Sequence, residues 1–291
     1  MRITESRMIE LAATSVADAR DRAGRAQEAL SSGVRVERPS DDVAAWAAGE
    51  RASIRRSQSQ GRGQAIGLAT ENLQQTDGVL AVVSDGLSQL GTLASSGANG
   101  GLNAADRVDI AQKVRALRDS AMAALNQKGP DGSYLLSGSK GDVAAFSPLG
   151  GYQGDGASRS VSVAEGQTAP GAVTAQRLTT ANGGVDVLSV FDQVANALDA
   201  NDPTTVTSLM ATIQQATGQV TNLRSLVGER LTALNGAEDA RQSFEQNLAE
   251  QHANAVEVDP IAAASDLTRA STVLESARAA AQQIVSMMQS G

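Results

Sequence analysis

The sequence predicts a mainly α-helical protein, an elongated bundle whose N- and C-terminal helices pair as a coiled coil. Apolar residues near both chain ends recur alternately three and four positions apart, which keeps one narrow apolar stripe of a helix facing a partner helix. A glycine-rich, charge-poor stretch lies between these ends and predicts a small β-rich insertion. Aromatic residues make up only 2% of the chain, so the core must consist of Ala, Leu, Val and Ile, which suits thin, closely packed helices.

The first helix is predicted over about residues 5 to 31. Its apolar stripe, the N-terminal seam, consists of Ile9, Ala12, Val16, Ala19, Ala23, Ala26 and Leu30. Two pairs of opposite charges four residues apart, Asp18 with Arg22 and Asp21 with Arg25, favour the same helix. Gly33 supplies the residue that commonly ends a helix.

The second helix begins after an extended segment that ends at Pro39. Asp41 and Asp42 follow this proline and are candidates for the N-cap, so a helix is predicted from about residue 42. The cleanest apolar repeat of the chain predicts that this helix continues to about residue 95. That repeat consists of Ile66, Ala69, Leu73, Thr76, Leu80, Val83, Leu87 and Leu90. A shorter amphipathic helix is predicted over residues 104–127, ended by the turn sequence that starts at Gly129.

The β-rich insertion is predicted between residues 129 and 184. This window holds 12 of the 28 glycines and three of the six prolines. Residues 133–136 and residues 160–163 are predicted as short strands, because they carry β-favouring side chains between turn signals.

Helical periodicity resumes at Val187, breaks at Asn201 to Pro203, and then continues from Val206 toward Glu250. A last helix follows a break that ends at Pro260. Its stripe, the C-terminal seam, consists of Ala263, Leu267, Ala270, Leu274, Ala277, Ala281, Ile284 and Met288. Three parts are therefore predicted. Residues 1–32 with 261–291 form a terminal coiled coil, 33–132 with 187–260 form a bundle of long helices, and 133–186 form the β-rich outer part.

Composition excludes several classes of function. The net charge of −8 argues against general nucleic-acid binding, which needs clustered Lys and Arg. The chain contains no cysteine, so disulfides and thiolate chemistry are excluded. No secretory signal and no membrane-spanning run is found, so we expect a cytosolic protein or one exported without a cleaved signal.

No enzyme, metal site or cofactor is predicted. The only histidine, His252, lies in a polar stretch and is interpreted as part of a solvated helix face. Asp41 and Asp42 are interpreted as helix caps rather than a catalytic carboxylate pair. Residues 137–140 and 154–156 do not have the spacing of a phosphate-binding loop and are interpreted as turns.

Several segments resemble the flagellin superfamily of bacterial axial proteins. The opening Met1-Arg2-Ile3-Thr4 is similar to the start of that family. A signature at the end of the first terminal helix, Leu30 to Val36, resembles the one that the family shares. The segment that follows it, Arg38 to Asp42, resembles the members that join the flagellar hook to the filament, since filament members usually lack its proline, and so do residues 134–140 and 152–156. The signature residues are Leu30, Ser31, Gly33, Arg35, Pro39, Ser40, Asp41 and Asp42.

The resemblance implies that the terminal helices form an inner tube, the long helices a surrounding layer and the insertion the outer surface. It implies export through the flagellar type III apparatus with a chaperone bound to the C-terminal helix. The expected partners are further copies of the chain in a lattice layer, hook-associated protein 1 and flagellin, at an extracellular junction between hook and filament. Nucleic acid, membrane and cofactors are not expected.

Two other functions remain open from the sequence. A filament flagellin would have the same helical ends, but it would polymerise in bulk. A secreted coiled-coil translocator would need a long apolar hairpin, whereas the seams here are narrow and interrupted.

Overall fold

The computed structural model describes the backbone of residues 2–289 and the side chains of residues 7–181 and 183–287. Six helices account for most of the chain, so the predicted mainly α class is confirmed. They are α1 (Arg2–Ser32), α2 (Val43–Gly97), α3 (Ala104–Leu125), α4 (Val187–Asp199), α5 (Pro203–Val256) and α6 (Pro260–Gln289). Strands β1 (Ser160–Ala164) and β2 (Gln167–Pro170) form an antiparallel hairpin. Two 3₁₀ turns follow at Ala175–Leu178 and Ala181–Gly183.

The predicted helices agree closely with these bounds, and the long helix from residue 42 is continuous. The predicted break before α5 is also present: Asn201 has a positive φ of 55°, and Asp202 accepts hydrogen bonds from the first free amides of α5. The predicted strand over residues 133–136 is wrong. Tyr134 makes an isolated bridge with Lys128, and its N–H donates to Gly141 O, so the chain turns here instead of extending.

Packing divides the chain into two compact units. The terminal unit combines Met1–Ser57 with Phe244–Gly291, and the middle unit is Gln58–Ser243. The linkers next to the terminal helices thus pack with those helices, and the β-rich part lies within the middle unit. Since this grouping does not address a separate outer part, the three-part division stays a prediction.

In the terminal unit, α1 packs against α6, so the predicted pairing of the chain ends is confirmed. The two linkers pair as well: Val34 and Glu257 form an antiparallel bridge, and Arg35 N–H donates to Val256 O at 2.7 Å. Gly33 ends α1 with a positive φ of 73°, a conformation that glycine adopts without strain. The same residue accepts a hydrogen bond from Val258 N–H, which links the end of α1 to the start of the C-terminal segment.

The middle unit has one apolar core, built from α2, α3, α4 and α5 together with buried side chains of the β-rich part. The predicted repeat of α2 supplies one side of it: Leu73, Leu80, Val83, Leu87 and Leu90 are fully buried. Phe191 of α4 is fully buried in this core, and Phe146 of the β-rich part, only 2% exposed, also belongs to it. Beside the core, Arg224 of α5 donates to both carboxylate oxygens of Asp77 of α2, at 2.9 and 3.1 Å.

Arg107 is the most deeply buried charged side chain among the described residues of the middle unit, with only 4% of its surface exposed. Its guanidinium donates to three backbone oxygens, Gly97 O, Leu102 O and Asn99 O, at 2.7–2.9 Å. It also donates to the side-chain oxygen of Asn201. The charge is thereby satisfied without a carboxylate, partly by carbonyls at the C-terminal end of α2, where the helix dipole favours a cation.

The β-rich part is held together by side-chain bonds to backbone as much as by its hairpin. Asn126 exchanges two hydrogen bonds with the backbone of Phe146, at 2.8 and 2.9 Å. Asp155 accepts from the N–H groups of Ser139 and Ala157. Burial, with the negative charge of Asp155 nearby, raises the pKa of the Tyr152 hydroxyl to about 12. Such bonds replace the strand ladders that this glycine-rich segment lacks.

Candidate assembly surfaces

The N-terminal seam is the least exposed stripe of α1. Ala19 is only 3% exposed, and Ala12, Val16, Ala23 and Ala26 are half-buried. The two ends of the predicted stripe are more exposed than its middle: Ile9 is 43% exposed and Leu30 is 37% exposed. The middle of the seam is therefore covered within the chain, while its ends are open.

The C-terminal seam has the same character on α6. Ala263 is buried, and the remaining described positions are half-buried: Leu267, Ala270, Leu274, Ala277, Ala281 and Ile284. The side chain of Met288 lies outside the described residues. Because α1 and α6 use these stripes to pack on each other, contacts with other subunits need further surface on the same helices. The assembly role of the seam residues stays a prediction.

The sequence pattern did not single out the apolar side chains that flank the seams. Most of the exposed large apolar side chains in the described part of the chain belong to the terminal unit. Those on the paired helices, the flanking apolar residues, are Met8, Leu11, Ile261, Val273, Val285 and Met287, together with the open seam ends Ile9 and Leu30. Apolar surface of this kind, clustered on one helix pair, is typical of a protein–protein contact.

The predicted ion pairs on the outer face of α1 are not formed. Neither Asp18 with Arg22 nor Asp21 with Arg25 makes an ion pair, although all four side chains are exposed and described. The reason is that an exposed pair at this spacing is worth only about 0.3–0.5 kcal/mol, which hardly offsets the entropy of ordering two side chains. These carboxylates are therefore free to meet groups outside the chain.

The signature segment forms a compact turn between α1 and α2. Ser31 Oγ donates to Glu28 O near the end of α1, and Gly33 then ends the helix. Arg35 donates from Nη2 to Ala255 O at 2.8 Å, which ties the segment to the end of α5. Pro39 and Ser40 form the exposed tip of the turn.

Asp41 and Asp42 have different roles, which the sequence did not distinguish. Asp41 closes the turn, since its Oδ2 accepts from the N–H groups of Glu37 and Arg38. Asp42 is the N-cap of α2, and its Oδ1 accepts from the N–H groups of Ala44 and Ala45 at 3.1 and 3.0 Å. The predicted capping role is thus confirmed for Asp42.

The cap should make the start of α2 sensitive to acid. The hydrogen bond from Ala45 N–H, helped by Arg35, lowers the pKa of the Asp42 carboxyl below its ordinary value of 3.8. A lowered folded-state pKa contributes stability above pH 3.8 that is lost as the pH falls toward the folded-state pKa. Asn caps as well as Asp but carries no charge. We therefore expect the wild-type melting temperature to exceed that of Asp42→Asn at pH 7, and the difference to shrink as the pH falls from 5 to 3.

Melting followed by circular dichroism at a series of pH values checks this expectation. Other carboxylates titrate in both proteins and cancel in the difference. A difference that stays constant from pH 7 to pH 3 would contradict the assigned role of the Asp42 charge.

The places considered for chemistry do not form a recognisable catalytic arrangement. His252 is half-buried beside Gly49, where the missing side chain lets α5 lie close to α2, so it is less exposed than a fully solvated helix face would be. Within the described residues, no group of three or more His, Cys, Asp or Glu side chains is placed to hold a metal ion. None of the described helices combines the length and the apolarity needed to cross a membrane.

Comparison with known proteins points to one family. Residues 6–141 match the family described as bacterial flagellin N-terminal helical region. Flagellar hook-associated protein 3 of Salmonella typhimurium is 28% identical over 157 residues, which cover 53% of this chain and 49%, about half, of that protein. The protein of the same name from Escherichia coli is 24% identical over 271 residues, which cover 85% of this chain and 86% of that protein.

The fold agrees with these sequence matches. A solved structure from Vibrio parahaemolyticus, assigned as a flagellar hook-associated protein, superposes with a TM-score of 0.68 at 23% identity. The superposition covers 75% of this chain and all of that one. Family model, relatives and fold agree: this chain is similar to the bacterial flagellin N-terminal helical region and to flagellar hook-associated protein 3.

Proposed function

We propose that this protein forms the layer that joins hook-associated protein 1 to the flagellin filament. The observation that carries the proposal is the match to the E. coli hook-associated protein 3, which extends over most of both chains. The signature with Pro39 supports the same function, because filament flagellins usually lack the proline that the junction members have. The function is mechanical and includes no catalysed reaction.

The terminal unit supports a role in assembly. Its paired helices leave the flanking apolar residues exposed, and burying such side chains contributes about 1.5–3 kcal/mol each. A layer of identical subunits can bury them side by side. In this proposal α1 and α6 line the inner tube, and the β-rich part of the middle unit lies on the outer surface.

Further partners follow from the same proposal. Flagellin would polymerise on one side of the layer and hook-associated protein 1 would lie on the other. An export chaperone would bind α6 before secretion, because this helix would otherwise expose Val273, Val285 and Met287 in the cytoplasm. Export would use the flagellar type III apparatus and no cleaved signal.

Immunogold electron microscopy of intact flagella tests the proposal. The antibody is raised against residues 133–184, a segment placed on the outer surface. Label at a single point where the hook meets the filament is the expected result. Label along the filament would instead assign the chain as a filament flagellin. Absence of label from flagella would overturn both assignments and favour the remaining alternative, a secreted coiled-coil translocator.

A further inference from the structure

One stretch of this acidic protein is strongly basic. Residues 51–70 contain Arg51, Arg55, Arg56 and Arg62 and no Asp or Glu, although the whole chain carries a net charge of −8. Arg51 and Arg55 lie one helical turn apart in the α2 part of the terminal unit. Their position indicates a local surface that attracts negative charge.

These two arginines line a groove, which we call the basic groove, between α2 and α5 of the terminal unit. The groove has a volume of about 400 Å³. Ala52 is buried in it, and Gln251 and Asn254 of α5 line the opposite side. No carboxylate lines the groove, so its polar groups are guanidinium and amide donors together with the amide oxygens.

Both arginines of the groove lack a partner in the described structure. Arg51 and Arg55 are exposed, and neither makes an ion pair or a hydrogen bond there. A guanidinium can hold a carboxylate through two parallel hydrogen bonds. Two of them at this spacing therefore match two carboxylates that are also one turn apart on a helix.

Such a pair of carboxylates is present on the chain itself. Asp18 and Asp21 lie about one turn apart on the face of α1 that points away from the N-terminal seam. Both are exposed, and the expected pairing with Arg22 and Arg25 is not formed. They are thus available after α1 has packed on α6.

We propose that the basic groove of one copy binds the Asp18–Asp21 face of α1 in a second copy. This inference rests on the proposed function, because it supplies a lateral contact for the layer of identical subunits. The two surfaces are different, so the contact is heterologous and each copy can use both at once. Repetition of a heterologous contact generates a ring or a helix, which is the form that a layer of an axial structure needs.

Disulfide cross-linking in assembled flagella tests the contact. The chain has no cysteine, so two single-cysteine versions, Ala17→Cys and Asn254→Cys, introduce the only thiols. Ala17 is an exposed neighbour of Asp18 and Asp21, and Asn254 lines the groove. Flagella are isolated from cells that express both versions with tags of different mass. A disulfide-linked dimer that contains both tags is the expected product.

Charge reversal then separates the proposed contact from general proximity. We expect Arg51→Glu with Arg55→Glu, introduced in both versions, to reduce the mixed dimer at least about tenfold, since attraction becomes repulsion. The matched control is Arg56→Glu. Arg56 is exposed on the same helix, about 100° around the helix axis from Arg55, so its charge reversal should leave the amount of mixed dimer unchanged. Adding Asp18→Arg and Asp21→Arg to the double variant should restore it.

The outcomes distinguish this inference from the proposed function. The inference is overturned if flagella contain both versions but no mixed dimer, if the dimer survives the double reversal, or if Arg56→Glu reduces it equally. In each of these cases, immunogold label at the junction would still support the proposed function. Absence of the wild-type protein from the junction would overturn the proposed function independently.

Discussion

Replacing Ala19 by glutamate should separate α1 from α6 and stop assembly. Ala19 is 3% exposed in the middle of the N-terminal seam, where α1 packs against α6. A carboxylate there has no basic partner on the seam, and an uncompensated buried charge costs about 3–5 kcal/mol. That exceeds what a thin, alanine-lined helix gains by packing, because such a helix is marginal on its own.

Circular dichroism and swimming assays measure the two consequences. Ala19→Glu is expected to lose helical signal from the terminal helices while the middle unit, with its separate core, still unfolds cooperatively. Cells that carry this variant in place of the wild-type protein should not swim. The matched control is Ala13→Glu, which adds the same charge at an exposed position of the same helix and should behave as wild type. Equal effects of the two substitutions would contradict the importance of the seam.

Replacing Arg107 by methionine should destabilise the middle unit by about 3 kcal/mol. The substitution keeps an unbranched side chain but leaves Gly97 O, Asn99 O, Leu102 O and the Asn201 side chain without their donor. Each buried acceptor left unsatisfied costs about 1–3 kcal/mol, and relaxation toward water recovers part of the sum. For a unit of this size we expect the melting temperature to fall by roughly 6–12 °C.

Thermal and urea denaturation of the full chain check this value. Arg115→Met is the matched control, because Arg115 is also on α3 but makes an ion pair with Asp199 near the surface, where 44% of its side chain is exposed. Such pairs contribute about 0–1 kcal/mol, so the control should shift the transition by a few degrees at most. A similar fall in melting temperature in both variants would show that the buried hydrogen bonds of Arg107 contribute no more to stability than the exposed ion pair of Arg115.

The sequence predicted the helices well because their signals are local. The stripes of α1, α2 and α6 repeat at three- and four-residue spacing, and such spacing needs no knowledge of distant residues. The Gly33 helix end and the Asp42 cap were predicted for the same reason. In residues 133–136, the β-favouring side chains suggested a strand, but the surrounding glycines and the bond to Gly141 O turned the chain instead.

The candidate surfaces were only partly predictable. The seams were identified, yet a periodic pattern does not say whether the partner helix belongs to the same chain or to another copy. The structure pairs the stripes of α1 and α6 with each other and leaves Met8, Leu11 and Met287 exposed. It also leaves Asp18 and Asp21 without the partners that simple spacing suggested.

By itself, the sequence determined the helical class, the ends of the main helices and the resemblance to axial proteins of the flagellum. Only the tertiary structure decided that Arg107 is buried, because Asn201 approaches it from 94 positions along the chain. It also decided that His252 lies against Gly49 and that Arg51 and Arg55 share a groove with Asn254. The physical reason is that periodicity and capping depend on neighbours within one helical turn, whereas burial and charge pairing depend on which segments the fold brings together.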